Sequence, residues 1–178
     1  MDSLTRLACA AQAGDKTAME RFVVDSQAEV WRLCARLVGA DAADEVTQDT
    51  YLRAIPALSR FRHESSARTW LLSIARRACA DLIRQRQRRR RLLTRIVANT
   101  TIGSVELESS ASSEELVSLL DPERREAFVL TQEFGLSYAE AAEICNCPIG
   151  TIRSRVSRAR SDLLEMLHVV PEDRRHLG

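Results

Sequence analysis

LSYAEAAEICNCPIGTIRSRVSRARSDLLEML, residues 136–167, decides how this chain is read. Ser137 followed by Glu140 is a capping box, in which each side chain bonds the other residue's backbone N–H. A helix is therefore predicted to start at Ser137. Tyr138, Ala141, Ala142 and Cys145 give that helix one apolar face, and Asn146-Cys147-Pro148 breaks it. Proline is tolerated at a first helical position, where its missing N–H has no helical partner anyway, so a second helix is predicted from Pro148. Ile152, Val156, Ala159, Leu163 and Leu167 recur at steps of 4, 3, 4 and 4 residues, one stripe of a 3.6-residue period. Thr151, Arg153, Ser154, Arg155, Ser157, Arg158 and Arg160 take the remaining surface. This is the pattern of a helix-turn-helix, whose second helix offers its N-terminal residues to base edges and its arginines to phosphates. Arginine serves both, because its planar fork grips a phosphate or a guanine edge at two points. Two ordinary packed helices with a solvated basic face are the competing reading.

Composition sets the frame around this stretch. A chain of 178 residues with 45% hydrophobic content makes one domain or two small helical ones. Six glycines, four prolines and long 3.6-type periodicity predict an all-α protein. The net charge of +1 hides a split: six arginines lie within 84–91, and seven acidic residues lie within 106–126. Partners are therefore read segment by segment. There is no signal-peptide pattern and no transmembrane run, and the five cysteines are an odd number. A cytoplasmic protein with reduced thiols is expected. Cys9, Cys34, Cys79 and Cys145 fall near helical apolar positions and are expected in the core. Cys145-Asn146-Cys147 lacks a second ligand pair, so no metal is expected there.

Upstream, residues 4–13 form a short helical pattern ending at Gly14, and Asp15 is placed to cap a helix running to Val38. Trp31 lies beside the apolar face of that helix, where a core position is expected. Asp41 is expected to cap a third helix ending at Pro56. Asp44, Glu45, Gln48, Asp49 and Leu52 lie off its apolar face, as either solvated surface or a docking ridge for a basic partner helix. A basic loop at 58–65 carries the aromatic Phe61. A fourth helix follows from Ala67 to about Arg91, capped by Ser65 or Ser66, with Trp70 near its start and QRQRRRR at its end. A basic helix end beside an aromatic loop suits nucleic acid, since arginines neutralise phosphates and aromatics stack on exposed bases. Residues 99–113 lose all periodicity and read as a flexible linker. A short helix at 114–120 and a helix capped by Asp121 with Pro122 at its first position then lead to Gly135. The expected division is an N-terminal unit at 1–95, a linker at 96–113, a C-terminal unit at 114–170 and a tail at 171–178.

Three of these stretches resemble those of bacterial extracytoplasmic-function (ECF) RNA polymerase sigma factors of the two-domain type. DAADEVTQDTYLRA (41–54) is similar to the family's D-A-E-D-L-x-Q-E-x-F-L-R-A. FRHESSARTWLLSIARRACADLIRQRQRR (61–89) is similar to F-R-G-E-S-S-F-x-T-W-L-x-x-I-A-R-N-x-x-x-D-x-x-R. The stretch 121–163 is similar to a pattern running from L-P-x-x-x-R-E through G-x-S-Y-x-E-I-A to P-x-G-T-V-K-S-R-L-x-R-A-R. The resemblance implies a non-enzymatic promoter-specificity subunit of RNA polymerase, without a cofactor, in the cytoplasm and not inserted in a membrane. It implies that Asp44, Glu45, Gln48, Asp49, Leu52 and Arg53 dock on core polymerase, whose β′ clamp helices and β flap are the expected partner surfaces. It implies that Phe61, Arg62, His63, Glu64 and Ser65 capture the melted −10 strand, with Arg76, Arg77, Arg84 and Arg88 on phosphates. It places Ile149, Gly150, Thr151, Arg153, Ser154 and Arg155 nearest the −35 duplex, with Arg158 and Arg160 on its phosphates. An anti-sigma factor is a further partner class that the resemblance leaves open. Ile55-Pro56 stands where the family often has tryptophan, which predicts a shorter third helix, and Arg77 replaces the usual asparagine.

Two other classes remain beside this reading. A free-standing helix-turn-helix regulator would bind duplex DNA alone, usually as a dimer on a palindrome. A helix-turn-helix enzyme would need a nucleophile or metal cluster, which the scattered His63, His168 and His176 do not supply.

Overall fold

The computed structural model describes the backbone of residues 1–96 and 113–168, and the side chains of 1–92 and 113–167. Apart from its two end residues, the linker expected at 96–113 lies outside the described residues, and so does the tail at 171–178. Every regular element among the described residues is helical. They group into two units, taken here one at a time.

The N-terminal unit is built from α1 (Ser3–Gln12), α2 (Lys16–Val38), α3 (Ala40–Ala57) and α4 (Ala67–Ile96), with a single 3-10 turn at Leu58–Arg60. Local chemistry sets most boundaries. Asp2 caps α1 by accepting from the Thr5 amide at 2.9 Å. Asp15 caps α2 by accepting from the Ala18 amide at 3.0 Å. Gly39, at φ 93°, ends α2 in a conformation that favours glycine. Here the expectation for Asp41 fails: α3 already begins at Ala40, has no side-chain cap, and carries Asp41 inside its first turn. An acid there still favours the helix through the macrodipole. Pro56 does not shorten α3, which runs one residue past it; so close to the C-terminus the ring removes only one late helical bond.

Phe22, Val30 and Leu33 of α2, Val46 and Ala54 of α3, and Leu71, Leu72 and Ala75 of α4 are buried together with Leu58. Ser26 Oγ in this core lies 2.7 Å from the Tyr51 hydroxyl and donates to the Phe22 carbonyl, whereas the Thr47 hydroxyl is buried without a hydrogen-bond partner among the described residues. Burial raises the Tyr51 pKa above its ordinary value. Arg68 of α4 grips Glu29 of α2 by donating from Nη2 at 2.6 Å and from Nε at 3.0 Å. The Ala67 amide, one of the unpaired donors at the head of α4, is taken by Thr5 Oγ1 at 2.9 Å. Ser66 caps the same helix through the Thr69 amide at 3.0 Å. From Arg84 to Leu92 every residue of α4 is exposed.

The C-terminal unit contains α5 (Ser113–Leu119), α6 (Pro122–Phe128) and α8 (Ile149–His168), with α7 (Tyr138–Cys145) leading into α8. Asp121 caps α6 and Pro122 opens it, as the sequence predicts. A π-helical turn over Val129–Glu133 follows, with the Phe134 amide reaching the Val129 carbonyl at 3.0 Å. The wider turn adds a residue and shifts the helical phase, so Val129, Leu130 and Thr131 are all buried in succession. Gly135 then closes the segment at φ 64°.

Candidate nucleic-acid interfaces

The capping box at the head of α7 forms as predicted. The Ser137 amide donates to Glu140 at 2.9 Å, and the Glu140 amide donates back to Ser137 Oγ at 3.2 Å. Ala141, Ala142 and Cys145 are buried as expected; Ile144, absent from the predicted face, is buried with them. Asn146 ends α7 at φ 51°. The Cys147 amide bonds the Ala142 carbonyl and the Asn146 amide bonds the Glu143 carbonyl, the paired closure of a Schellman motif with asparagine in its left-handed place. Pro148 stands just before α8, and its carbonyl accepts from the Thr151 amide at 2.9 Å. It is thus the residue before the first helical position, one earlier than predicted.

The stripe of α8 begins as the sequence indicates, with Ile152, Val156 and Ala159 buried; Leu163 is half-buried and Leu167 exposed. The opposite face carries Gly150, Ser154, Ser157 and Ser161, small groups that let the helix approach another surface closely. Arg153 and Arg158 flank it, exposed and without a partner among the described residues. Ile149 is exposed at the tip, while Thr151 is half-buried. Arg160 is exposed and bonds Gln132 at 2.7 Å. Arg155 does not belong with these. Its side chain is only 18% exposed and is ion-paired with Glu123 of α6. Its long stem turns back along α8 toward Cys147, so that in this structure it tethers α8 to α6.

In the N-terminal unit, Asp44, Glu45, Gln48, Leu52 and Arg53 are exposed on one side of α3 and Asp49 is half-buried. Asp44 accepts from the Trp31 indole N–H at 2.7 Å. Trp31 is therefore at the surface, 38% exposed, and the core position expected for it is wrong. Arg53 pairs with Asp49 at 2.7 Å and with Asp81 of α4 at 2.6 Å. Asp81 is held below the usual carboxylate range by Arg53 and then by Arg84. The ridge thus presents Gln48, Leu52, Glu45 and the Trp31-bonded Asp44, with Arg53 occupied by Asp49 and Asp81.

The segment between α3 and α4 departs most from expectation. Phe61 is buried, 4% exposed, with its ring centroid 5.1 Å from that of Trp70 and 4.5 Å from that of His63. It anchors the loop and offers no open stacking face. Arg62, His63 and Glu64 are exposed and Ser65 is half-buried. His63 adopts φ 58°. Arg77, Arg84 and Arg88 are exposed along α4 and Arg76 is half-buried. Arg84 is ion-paired with Asp81. Arg86, not singled out in the sequence, donates to the Val38 carbonyl at the end of α2 at 2.9 Å. No helix of the described residues is long and apolar enough to cross a membrane, and no group of three or more His, Cys, Asp or Glu among them is placed to hold a metal.

Comparison with known proteins gives these surfaces a family. Residues 22–89 match the family profile described as Sigma-70 region 2, and residues 113–163 match Sigma-70, region 4. The chain is 44% identical over 167 residues to the ECF RNA polymerase sigma factor SigC of Mycobacterium tuberculosis, covering 92% of this chain and 90% of that one. It is 37% identical over 133 residues to the ECF RNA polymerase sigma factor EcfG of Rhodopseudomonas palustris, covering 73% and 74%. Among solved structures it is similar to the sigma factor RpoE of Bartonella quintana, in complex with the anti-sigma factor NepR. That likeness has a TM-score of 0.68 at 29% identity and covers 86% and 98% of the two chains. CnrH, in complex with the cytosolic domain of CnrY, is similar at TM-score 0.71 and 26% identity, covering 96% and 100%. With region 2 matched on α2–α4 and region 4 on α5–α8, and with identity of this extent along nearly the whole chain, the protein belongs to the family of ECF RNA polymerase sigma factors.

Proposed function

We propose that this chain acts as an alternative sigma factor, a DNA-binding specificity subunit and not an enzyme. In the cytoplasm it binds core RNA polymerase and selects promoters through two separate nucleic-acid surfaces. Support for the −35 surface comes from α8. Its outward face carries small residues between Arg153 and Arg158, neither of which has a partner among the described residues. A helix with short side chains along its centre sits deep in a major groove, and flanking arginines reach phosphates and guanine edges. Gly150, Thr151 and Ser154 meet bases, Arg153 reads, and Arg158 and Arg160 hold phosphates. Arg155 acts only by keeping α8 on α6.

The −10 surface is formed by Arg62, His63, Glu64 and Ser65 together with Arg77, Arg84 and Arg88. Phe61 supports it from below by locking the loop onto Trp70. The N-terminal domain spans 1–95 and the C-terminal one 114–170. On α3 the exposed Gln48, Leu52, Asp44 and Glu45 form a mixed apolar and acidic ridge, suited to a basic helical partner such as the β′ clamp helices, while the C-terminal domain meets the β flap. An anti-sigma factor fits as a second partner, since the similar sigma factor RpoE is bound to the anti-sigma factor NepR.

The observation that carries the reading is the pair of uncommitted arginines beside the small-residue face of α8. The test is binding of the purified chain to core polymerase, followed by transcription from a promoter library. Saturable binding and new promoter-specific transcripts are expected. Tight duplex binding with no affinity for core polymerase would overturn the sigma role in favour of a free-standing regulator.

A further inference from the structure

Cys9 departs from the buried position expected of it. It lies half-buried on α1, with its Sγ 3.6 Å from His63 Nδ1 and 4.0 Å from Met1 Sδ. Three soft or borderline donors from three parts of the chain thus converge at the surface of the N-terminal unit.

The state of the imidazole follows from its neighbours. Gln12 donates its side-chain N–H groups to the carbonyls of Ser59 at 3.2 Å and Phe61 at 3.0 Å. Its oxygen is thereby turned toward His63 Nε2, 3.0 Å away. A carbonyl oxygen only accepts, so Nε2 carries the proton and Nδ1 presents its lone pair to Cys9. A histidine oriented through its other nitrogen by a carbonyl group is the usual outer arrangement of a metal ligand. His63 is held in the left-handed region at φ 58°, a conformation that costs a non-glycine residue about 1–3 kcal/mol and concentrates at functional sites. That conformation places the imidazole over α1.

The spacing suits a small ion. With metal–sulfur bonds of about 2.3 Å and a metal–nitrogen bond of about 2.0–2.1 Å, trigonal or tetrahedral angles separate sulfur from nitrogen by roughly 3.6–3.8 Å and two sulfurs by roughly 3.8–4.0 Å. Both observed separations fall there. The donor set selects the metal. A thioether is not among the customary zinc ligands, and structural zinc takes four, whereas thiolate and thioether together select Cu(I), which imidazole also suits.

We propose that Met1 Sδ, Cys9 Sγ and His63 Nδ1 form a three-coordinate Cu(I) site, oriented by Gln12. On binding, the Cys9 S–H bond breaks, its proton passes to solvent, and the thiolate charge neutralises the monovalent ion. The ion joins α1 to the segment between α3 and α4. The site stands on its own donors and does not depend on the sigma reading.

The test titrates the full-length reduced protein with Cu(I) under anaerobic conditions, in competition with bicinchoninate. One equivalent is expected to leave the chelator. Cys147→Ser, the control for the other partly accessible thiol, keeps that uptake. Cys9→Ser abolishes it, and Gln12→Ala weakens it about tenfold. X-ray absorption of copper-loaded, selenomethionine-labelled protein should show one nitrogen, one sulfur and one selenium neighbour, with the imidazole scattering lost in His63→Gln. Copper uptake unchanged by Cys9→Ser, or a first shell without selenium, would overturn the site.

Discussion

Arg153 and Arg155 stand two residues apart on one helix, and their substitution by alanine should break different properties. Arg155 is paired with Glu123, whose side chain is 66% exposed, so the pair behaves as a surface ion pair; it is worth up to about 1 kcal/mol. Its own buried stem adds about another 1 kcal/mol of packing. Arg155→Ala should therefore cost about 1–2 kcal/mol, and about 4–8 °C in Tm per kcal/mol if its unit melts as an independent small domain. A double-mutant cycle with Glu123→Ala should return a coupling of about 0.5–1 kcal/mol. Arg153→Ala should leave the melting curve in place. It should weaken binding to −35 duplex by about 1–3 kcal/mol if it reads a base, or lower the salt slope by about one if it holds a phosphate. The assays are thermal unfolding of the full chain and promoter binding by the holoenzyme over a salt series. The reasoning is refuted if Arg155→Ala leaves Tm unchanged and lowers promoter binding and salt slope as Arg153→Ala does.

Leu52 is 68% exposed, so Leu52→Ala should change stability by less than about 0.5 kcal/mol yet weaken binding to core polymerase; unchanged affinity by titration would remove it from the docking ridge. A Cβ on Gly150 would meet nothing within 4 Å. Gly150→Ala should therefore fold as well as the parent, gaining up to about 1 kcal/mol of helix stability, while losing −35 affinity where DNA comes close; full affinity would show that this face stays clear of DNA. The Asp81 carboxyl titrates below its ordinary value of 3.8 because Arg53, then Arg84, favour its charged form. A lowered folded pKa contributes stability that is complete above the unfolded value and fades as pH falls through the folded one. The difference in urea midpoint between the parent and Asp81→Asn should thus be flat from neutral pH to about 5 and shrink below about 4; a difference independent of pH would mean that the pair adds nothing.

The parts of the fold legible in the sequence are those decided within a few residues. Asp15, Asp121 and the Ser137–Glu140 box cap their helices as read, because a cap needs only a side chain and amides two or three residues away. Errors appear where distant groups compete. Nothing local says that the Thr5 hydroxyl will serve the head of α4, or that Phe61 will sink against Trp70. The π-turn was hidden because its extra residue breaks the periodicity used to find it. In the site, a residue type in a motif shows which chemistry is present and leaves open where a long side chain points. Arginines 153 and 155 look alike in sequence and differ once Glu123 is in reach of one of them. Cys9 and His63 are 54 residues apart, beyond any spacing rule.

The end of α4 has a further consequence. At 1.5 Å per residue a helix of 30 residues is about 45 Å long, and from Arg84 to Leu92 each of its residues is exposed. Arg84 and Arg88, and Arg86 and Arg90, stand four apart with like charge, each pair weakening the helix by a few tenths of a kcal/mol. Multivalent anions relieve that repulsion, so a nucleic-acid backbone laid along the proposed −10 surface would stiffen the rod, and its departure would let the rod fray. Helical order at its tip then serves as a local gauge of occupancy, readable by amide exchange without any label on the DNA.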